Sequence, residues 1–430
     1  MTASAPPAVR PDSAELEPTR AVAYAMLLTL TFVVAHAGLF WLSLGPLRPG
    51  SNDVSLYAWW MYQGDQDGIW QGLNVDWVYP VGALIPMVIP QLLSGGNYDA
   101  YLPLWCTMVA LMNALTCLVT VSFAGLKRAC LPLVWWLVFL LLLGPVALTR
   151  LDAIAMPLVL MALLVAASLP GVAAILLTIG AWIKVSPGVI VLPLFAVVKR
   201  RLYSVALPAA ITCVFVVLLH WLASGSLSLS RLFSFVGAET GRGLQVESVL
   251  ATAPVLLHAI KGEIVWEYND ELSTVETYGG LADGLAGVGD IAMWVAVACV
   301  GGLTFLARHR ATEALLTGSL ATMTAMIVLH KVGSPQFIAW LAPAVVVALI
   351  VLPTSRLWAL LSIDLLLISG LTLVIYPWGY YAFLEAQPAM LLVYVVRNGL
   401  LVMVFGLALW KLWKLAAPGR RELLGRLARR

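Results

Sequence analysis

The chain has 430 residues, of which 61% are hydrophobic and only 11% charged, with a formal net charge of +3. A water-soluble domain carries about 45–50% apolar and about 25% charged residues, so no soluble core of this length could hide so much apolar surface. The composition specifies an all-α polytopic membrane protein, and the small net charge decides little beside where the basic residues sit.

Residues 1–21 are polar and rich in Pro and Ala, without an apolar h-region and small-residue cleavage site. They read as a disordered cytoplasmic tail ahead of an uncleaved first span. Crossing about 30 Å of hydrocarbon takes roughly 20 apolar residues. On that measure the sequence predicts about twelve spans, near 22–44, 102–125, 131–148, 153–168, 170–184, 187–199, 202–223, 290–307, 312–331, 336–352, 357–376 and 389–411. Together they form a transmembrane domain over 22–411, followed by a basic tail at 412–430. The apolar run 81–94 contains Pro86 and Pro90. It is too short to cross and reads as an interfacial or re-entrant segment.

Most of the 25 Lys and Arg residues, among them Lys127, Arg128, Lys199, Arg200, Arg201, Arg308, Arg310 and Arg356, fall on the even loops and the two tails. The positive-inside rule therefore predicts that both termini are cytoplasmic. Two long loops, 45–101 and 224–289, then face outward, and so do the short turns at 150–152, 184–187 and 331–336. The cytoplasmic loops are too short to build a nucleotide-binding domain, which places any chemistry on the outer face. The basic tail ending in Arg429 and Arg430 reads as lying on anionic lipid rather than on nucleic acid.

In the first outer loop, Val54, Tyr57 and Trp60 or Met61 share one helical face, which predicts an amphipathic helix in the interface. Asp53 stands at its start, either as a helix cap or as a general base held above the bilayer. Trp77 and Tyr79 are an aromatic belt or the wall of a lipid groove. Arg150 and Asp152 are snorkelling residues, or an arginine presented to a phosphate with the aspartate orienting it. Lys184, followed by Ser186 and Pro187, sits at a break between apolar runs that suggests a backbone opening onto a cavity. Arg242, between Gly241 and Gly243, lies in the polar stretch Glu239–Ser248, which is a solvated loop or a ligand-approaching one. Asp364 and Arg397 fall within adjacent spans, where the cost of a buried charge predicts that they pair; the rival is that Arg397 meets a lipid phosphate. The cysteines and histidines are scattered without ligand spacing, so no metal is expected.

The order and sidedness of these features resemble the GT-C superfamily of polyprenyl-phosphate-dependent glycosyltransferases. Within it the chain is most similar to glycosyltransferase family 87, which includes actinobacterial mannosyltransferases. The likeness rests on DVSLY at 53–57, YP at 79–80, IKVSP at 183–187, RGLQVES at 242–248 and GSPQFIAWL at 333–341. It implies a GT-C fold with two long outward loops carrying interfacial helices. It also implies transfer of a sugar, mannose first, from a polyprenyl-phosphate donor to a glycolipid or cell-wall glycan. On this resemblance Asp53 is the base of an inverting displacement, and Lys184, Arg150, Arg242 and Arg397 meet the donor phosphate. Gln336, Asp152, Gln245, Glu247, Lys331, Tyr57 and Tyr79 orient acceptor or donor, and no cofactor is implied. Another polyprenyl-phosphate sugar (arabinose or an aminosugar) is the alternative within the superfamily. A lipid or solute transporter is the alternative outside it.

Overall fold

The computed structural model describes residues 17–226, 228–238, 242–261, 266–269 and 274–427. The first sixteen residues of the expected N-terminal tail, and Glu239 and Gly241 of the polar stretch, lie outside the described residues. Helices dominate the fold, and every expected span coincides with an apolar helix. Among the described residues, eight helices are long and apolar enough to cross a membrane: Pro18–Leu44, Tyr98–Ala124, Leu126–Ala147, Leu202–Ser224, Gly280–Leu306, Arg308–Val328, Arg356–Trp378 and Pro388–Leu415. The other four, Asp152–Val165, Pro170–Ile183, Ser186–Val197 and Pro335–Val351, are shorter.

The short helices follow from their surroundings. Every residue of Asp152–Val165 is buried by protein, so its ends need not reach a lipid headgroup. A 14-residue helix rises about 21 Å, short of the roughly 30 Å of hydrocarbon. Backbone that stops at that depth is tolerated where protein or a polar cavity surrounds it. Four polar residues mark these stopping points: Asp152 begins one short helix, Lys184 follows the end of the next, Ser186 begins the third and Gln336 lies in the first turn of the fourth. These stopping points lie at the end of the bundle that the long connections cover.

The first connection begins with the expected interfacial helix, Asn52–Asp67, which buries Val54, Tyr57, Ala58, Met61 and Gly64 on one face. The segment expected to be re-entrant is the Leu84–Ser94 helix, held against the next span by the Tyr101 hydroxyl donating to Met87 O at 2.8 Å. The second connection carries a three-stranded antiparallel sheet that hydropathy does not foresee: Thr274–Thr277 pairs with Leu244–Gln245 on one side and Trp266–Asn269 on the other. The two connections clasp each other. Trp77 N donates to Ser234 Oγ at 2.9 Å, and Ser234 Oγ donates to Trp77 O at 3.0 Å. At the opposite end short turns join the helices, and basic residues collect there, with Lys411 and Arg310 both paired to Glu313.

Candidate active site

Asp53 lies in the first turn of the Asn52–Asp67 helix, while Ser51 occupies the N-cap position. The Asp53 carboxylate turns instead to Arg150, whose Nε lies 2.9 Å from Asp53 Oδ2. The rest of that guanidinium is committed. Nη1 donates to the carbonyls of Gly50 and Thr149 at 3.0 and 3.1 Å, and Nη2 to the Tyr376 hydroxyl at 3.4 Å. Gly50 lets this turn close, since a Cβ there would stand 3.0 Å from Pro377 and 3.2 Å from Pro145. The Arg150 side chain is 5% exposed and that of Asp53 33%, so the arginine is sealed beneath a carboxylate that keeps one side open. Arg150, expected at the donor phosphate, is in this arrangement the anchor of Asp53.

Asp152 does not orient Arg150. It is buried and accepts a 2.6 Å hydrogen bond from the indole Nε1 of Trp340, across the break that begins the Pro335–Val351 helix. Tyr57 and Tyr79 pack edge to face, with ring centres 6.4 Å apart. Burial pushes both phenols up, and Asp53 adds to the effect on each. Both therefore stay neutral O–H groups at ordinary pH. The Lys184 ammonium lies 4.7 Å from the centre of the Tyr79 ring. It sits in the two-residue break between Pro170–Ile183 and Ser186–Val197. A close approach sets its position: a Cβ on Gly82, two residues past the YP pair, would come 2.6 Å from Trp182 O. Beside it Ser186 is buried, with a hydroxyl that lacks a hydrogen-bond partner among the described residues. Asp53, Tyr57, Tyr79, Arg150, Asp152 and Lys184 thus form one electrostatically coupled group.

Gln245, Glu247, Lys331 and Arg397 form a second group. Gln245 N donates to Lys331 O at 3.0 Å, and Gly333 N donates to Gln245 Oε1 at 2.9 Å. A Cβ on Gly333 would lie 2.2 Å from Ser248 N, so only glycine permits this crossing of backbones. The Lys331 ammonium pairs with Asp290 at 3.1 Å. Glu247 accepts a hydrogen bond from the Tyr380 hydroxyl, and its carbonyl accepts one from Arg397 Nη2 at 2.8 Å. Burial pushes the Glu247 carboxyl above its ordinary range, against the opposing hydrogen bond from Tyr380. Arg397 is therefore tied to the second long connection and not to Asp364, whose Oδ2 is buried without a hydrogen-bond partner among the described residues. The expected pair fails because Arg397 finds a backbone acceptor within reach. Arg242 is half-buried at the start of this stretch, and Gln336 is buried in the turn after Pro335.

Tyr376 and Tyr380 join the two groups, with rings 5.3 Å apart, the first bonded to Arg150 and the second to Glu247. Neither stands out in the sequence, because they end an apolar span where aromatic residues are ordinary. The signal that could have found them is the break at Pro377 and Gly379 between them.

Comparison with curated proteins finds no match. Asp53 and Arg397 lie outside the residues that a family comparison matches, on either side of them. Residues 77–335, more than half of the chain, match the model of glycosyltransferase family 87, and the chain belongs to that family of membrane glycosyltransferases.

Proposed function

We propose that the protein transfers a sugar, most simply mannose, from a polyprenyl-phosphate donor to a glycolipid or cell-wall glycan acceptor on the outer face, with inversion. The observation that carries the reading is the Asp53–Arg150 pair: a sealed guanidinium holding a carboxylate that is one-third exposed where the long connections meet the bundle. Arg150 orients Asp53, and the open side of the carboxylate receives the acceptor hydroxyl. As that oxygen attacks the anomeric carbon, its proton passes to Asp53. The bond from the anomeric carbon to the phosphate oxygen breaks, and its electron pair leaves with the phosphate. The charge that develops there needs a cation aimed at it. Lys184 supplies one, next to the Ser186 hydroxyl and the positive end of the Ser186–Val197 helix. Tyr57 and Tyr79, neutral donors beside Asp53, orient the sugar hydroxyls. A donor delivered through the lipid calls for no nucleotide-binding domain, which agrees with the short turns at the opposite end.

The test is transfer of radiolabelled mannose from polyprenyl-phosphate mannose by membranes holding equal amounts of wild type or Asp53→Asn. Label entering lipid or glycan with wild type alone supports the reading. Equal transfer by both removes Asp53 from the mechanism. Transfer from an arabinose or aminosugar donor instead would change the sugar and keep the class.

A further inference from the structure

Outside the Asp53 group, the face where the two long connections meet holds an open cavity of about 650 Å³. Trp60, Trp77 and Phe233 line it with aromatic surface, and Gln71, Asp76 and Ser230 bring polar groups to the same space. It shares a wall with the candidate active site. Trp60 and Trp77 both stand edge to face against Tyr79, with centres 6.0 and 5.6 Å away. Trp60 also packs 6.0 Å from Tyr57. One layer of rings therefore separates this cavity from the residues around Asp53. The cavity falls within the span of sizes, about 300–1,000 Å³, that binding sites for small organic ligands occupy.

We propose that this cavity is a carbohydrate subsite, which binds a sugar ring of the acceptor glycan remote from the hydroxyl that reacts. A pyranose or furanose ring has one face of C–H bonds and a rim of hydroxyls. The C–H face packs on the negative faces of aromatic rings. The rim needs acceptors and donors that replace water, and a carboxylate and an amide provide both. Asp76, an exposed carboxylate on the wall, decides between a sugar and a hydrocarbon occupant. An isoprenoid chain would strip Asp76 of water and return no hydrogen bond, which is costly for a charge. A sugar rim returns those bonds. The clasp between Trp77 and Ser234 fixes the two sides of the cavity relative to each other, so the site is formed before ligand arrives and loses little entropy on binding. The inference rests on the proposed transfer to a glycan, and it adds where the glycan's other sugars lie.

The test uses the full chain purified in detergent, with mannotriose, an arabinose trisaccharide and farnesol as separate probes, read by saturation-transfer NMR. Asp76→Ala and Phe233→Ala alter exposed side chains, and unchanged melting temperatures confirm that the variants fold. The expected result is saturation of the C–H protons of one trisaccharide by wild type and by Asp53→Asn. Asp76→Ala should weaken its Kd by at least about tenfold, the effect of losing a charged hydrogen bond, and Phe233→Ala by about threefold to tenfold, the effect of losing an aromatic contact. In the transfer assay the same variants should raise the acceptor KM and leave kcat in place. Failure of transfer by wild type, with sugar binding still dependent on Asp76 and Phe233, would count against the proposed reaction and uphold the subsite. Absence of trisaccharide binding, binding indifferent to both variants, or displacement by farnesol alone would overturn it.

Discussion

Two groups of the same ingredients, a carboxylate, an arginine and tyrosines, stand side by side in this protein and differ in exposure. Around Asp53 the arginine is sealed and the carboxylate is open. Around Glu247 both are buried: the carboxylate lies against Tyr380, and Arg397 is bonded to main chain. A buried carboxylate tied to its neighbours costs desolvation and holds backbone in register. A carboxylate fixed from below and bare on top is ready to accept a proton. If the proposed roles hold, composition does not separate a reactive carboxylate from a structural one. The exposure of the carboxylate does.

Short of replacing Asp53 itself, removing its anchor should have the largest effect. Arg150→Met should lower transfer about 100-fold or more, because Asp53 loses its orientation. It should also cost about 1–3 kcal/mol, a figure discounted because Asp53 is partly exposed. Transfer rates and thermal melts in detergent check both, and full activity with the melt unchanged would show that the pair is idle. Lys184→Ala should cost about 100-fold in kcat through the uncompensated leaving phosphate. Its stability, read from the melting temperature, should fall by no more than the roughly 0.5–2 kcal/mol that a cation on a ring such as Tyr79 is worth, which separates a chemical role from a structural one.

On the side of the second group the effects fall on stability. Gly333→Ala drives a methyl into the backbone of Ser248 and should destabilise by about 1–3 kcal/mol. The smallest effect is a matter of pH. Burial raises the carboxyl of Glu247, so the folded state holds its proton more tightly than the unfolded chain does. The stability it contributes is complete below the ordinary glutamate pKa of about 4.3 and declines as pH rises through the raised value. The melting temperature of wild type minus that of Glu247→Gln should therefore fall with increasing pH. A constant difference would show that Glu247 does not titrate in this way.

Much of this arrangement was legible in the residues. Hydrophobic period placed Val54, Tyr57 and Met61 on the buried face of the interfacial helix. The proline-broken run at 81–94 did form a short helix against the bundle. Polar residues at the ends of apolar runs, Arg150, Asp152 and Lys184, do converge with Asp53 and Tyr79. Partners were harder to read, because the residues that meet are far apart in the chain. Arg150 takes Asp53, Asp152 takes Trp340 and Arg397 takes the carbonyl of Glu247. Periodicity ranks the faces of a helix and says nothing about which distant residue meets them. The sheet escaped because strands such as Leu244–Gln245 and Trp266–Asn269 are too short for an alternation to register.

In the proposed mechanism Asp53 is the proton acceptor and Glu247 a structural carboxylate. Its most direct test is the initial rate of sugar transfer by Asp53→Asn and Glu247→Gln, measured side by side at equal folded protein. Asp53→Asn should lose at least about 1,000-fold, within the range for removing a general base, while Glu247→Gln stays within about tenfold of wild type. Comparable losses in the two variants, or the larger loss in Glu247→Gln, would contradict it.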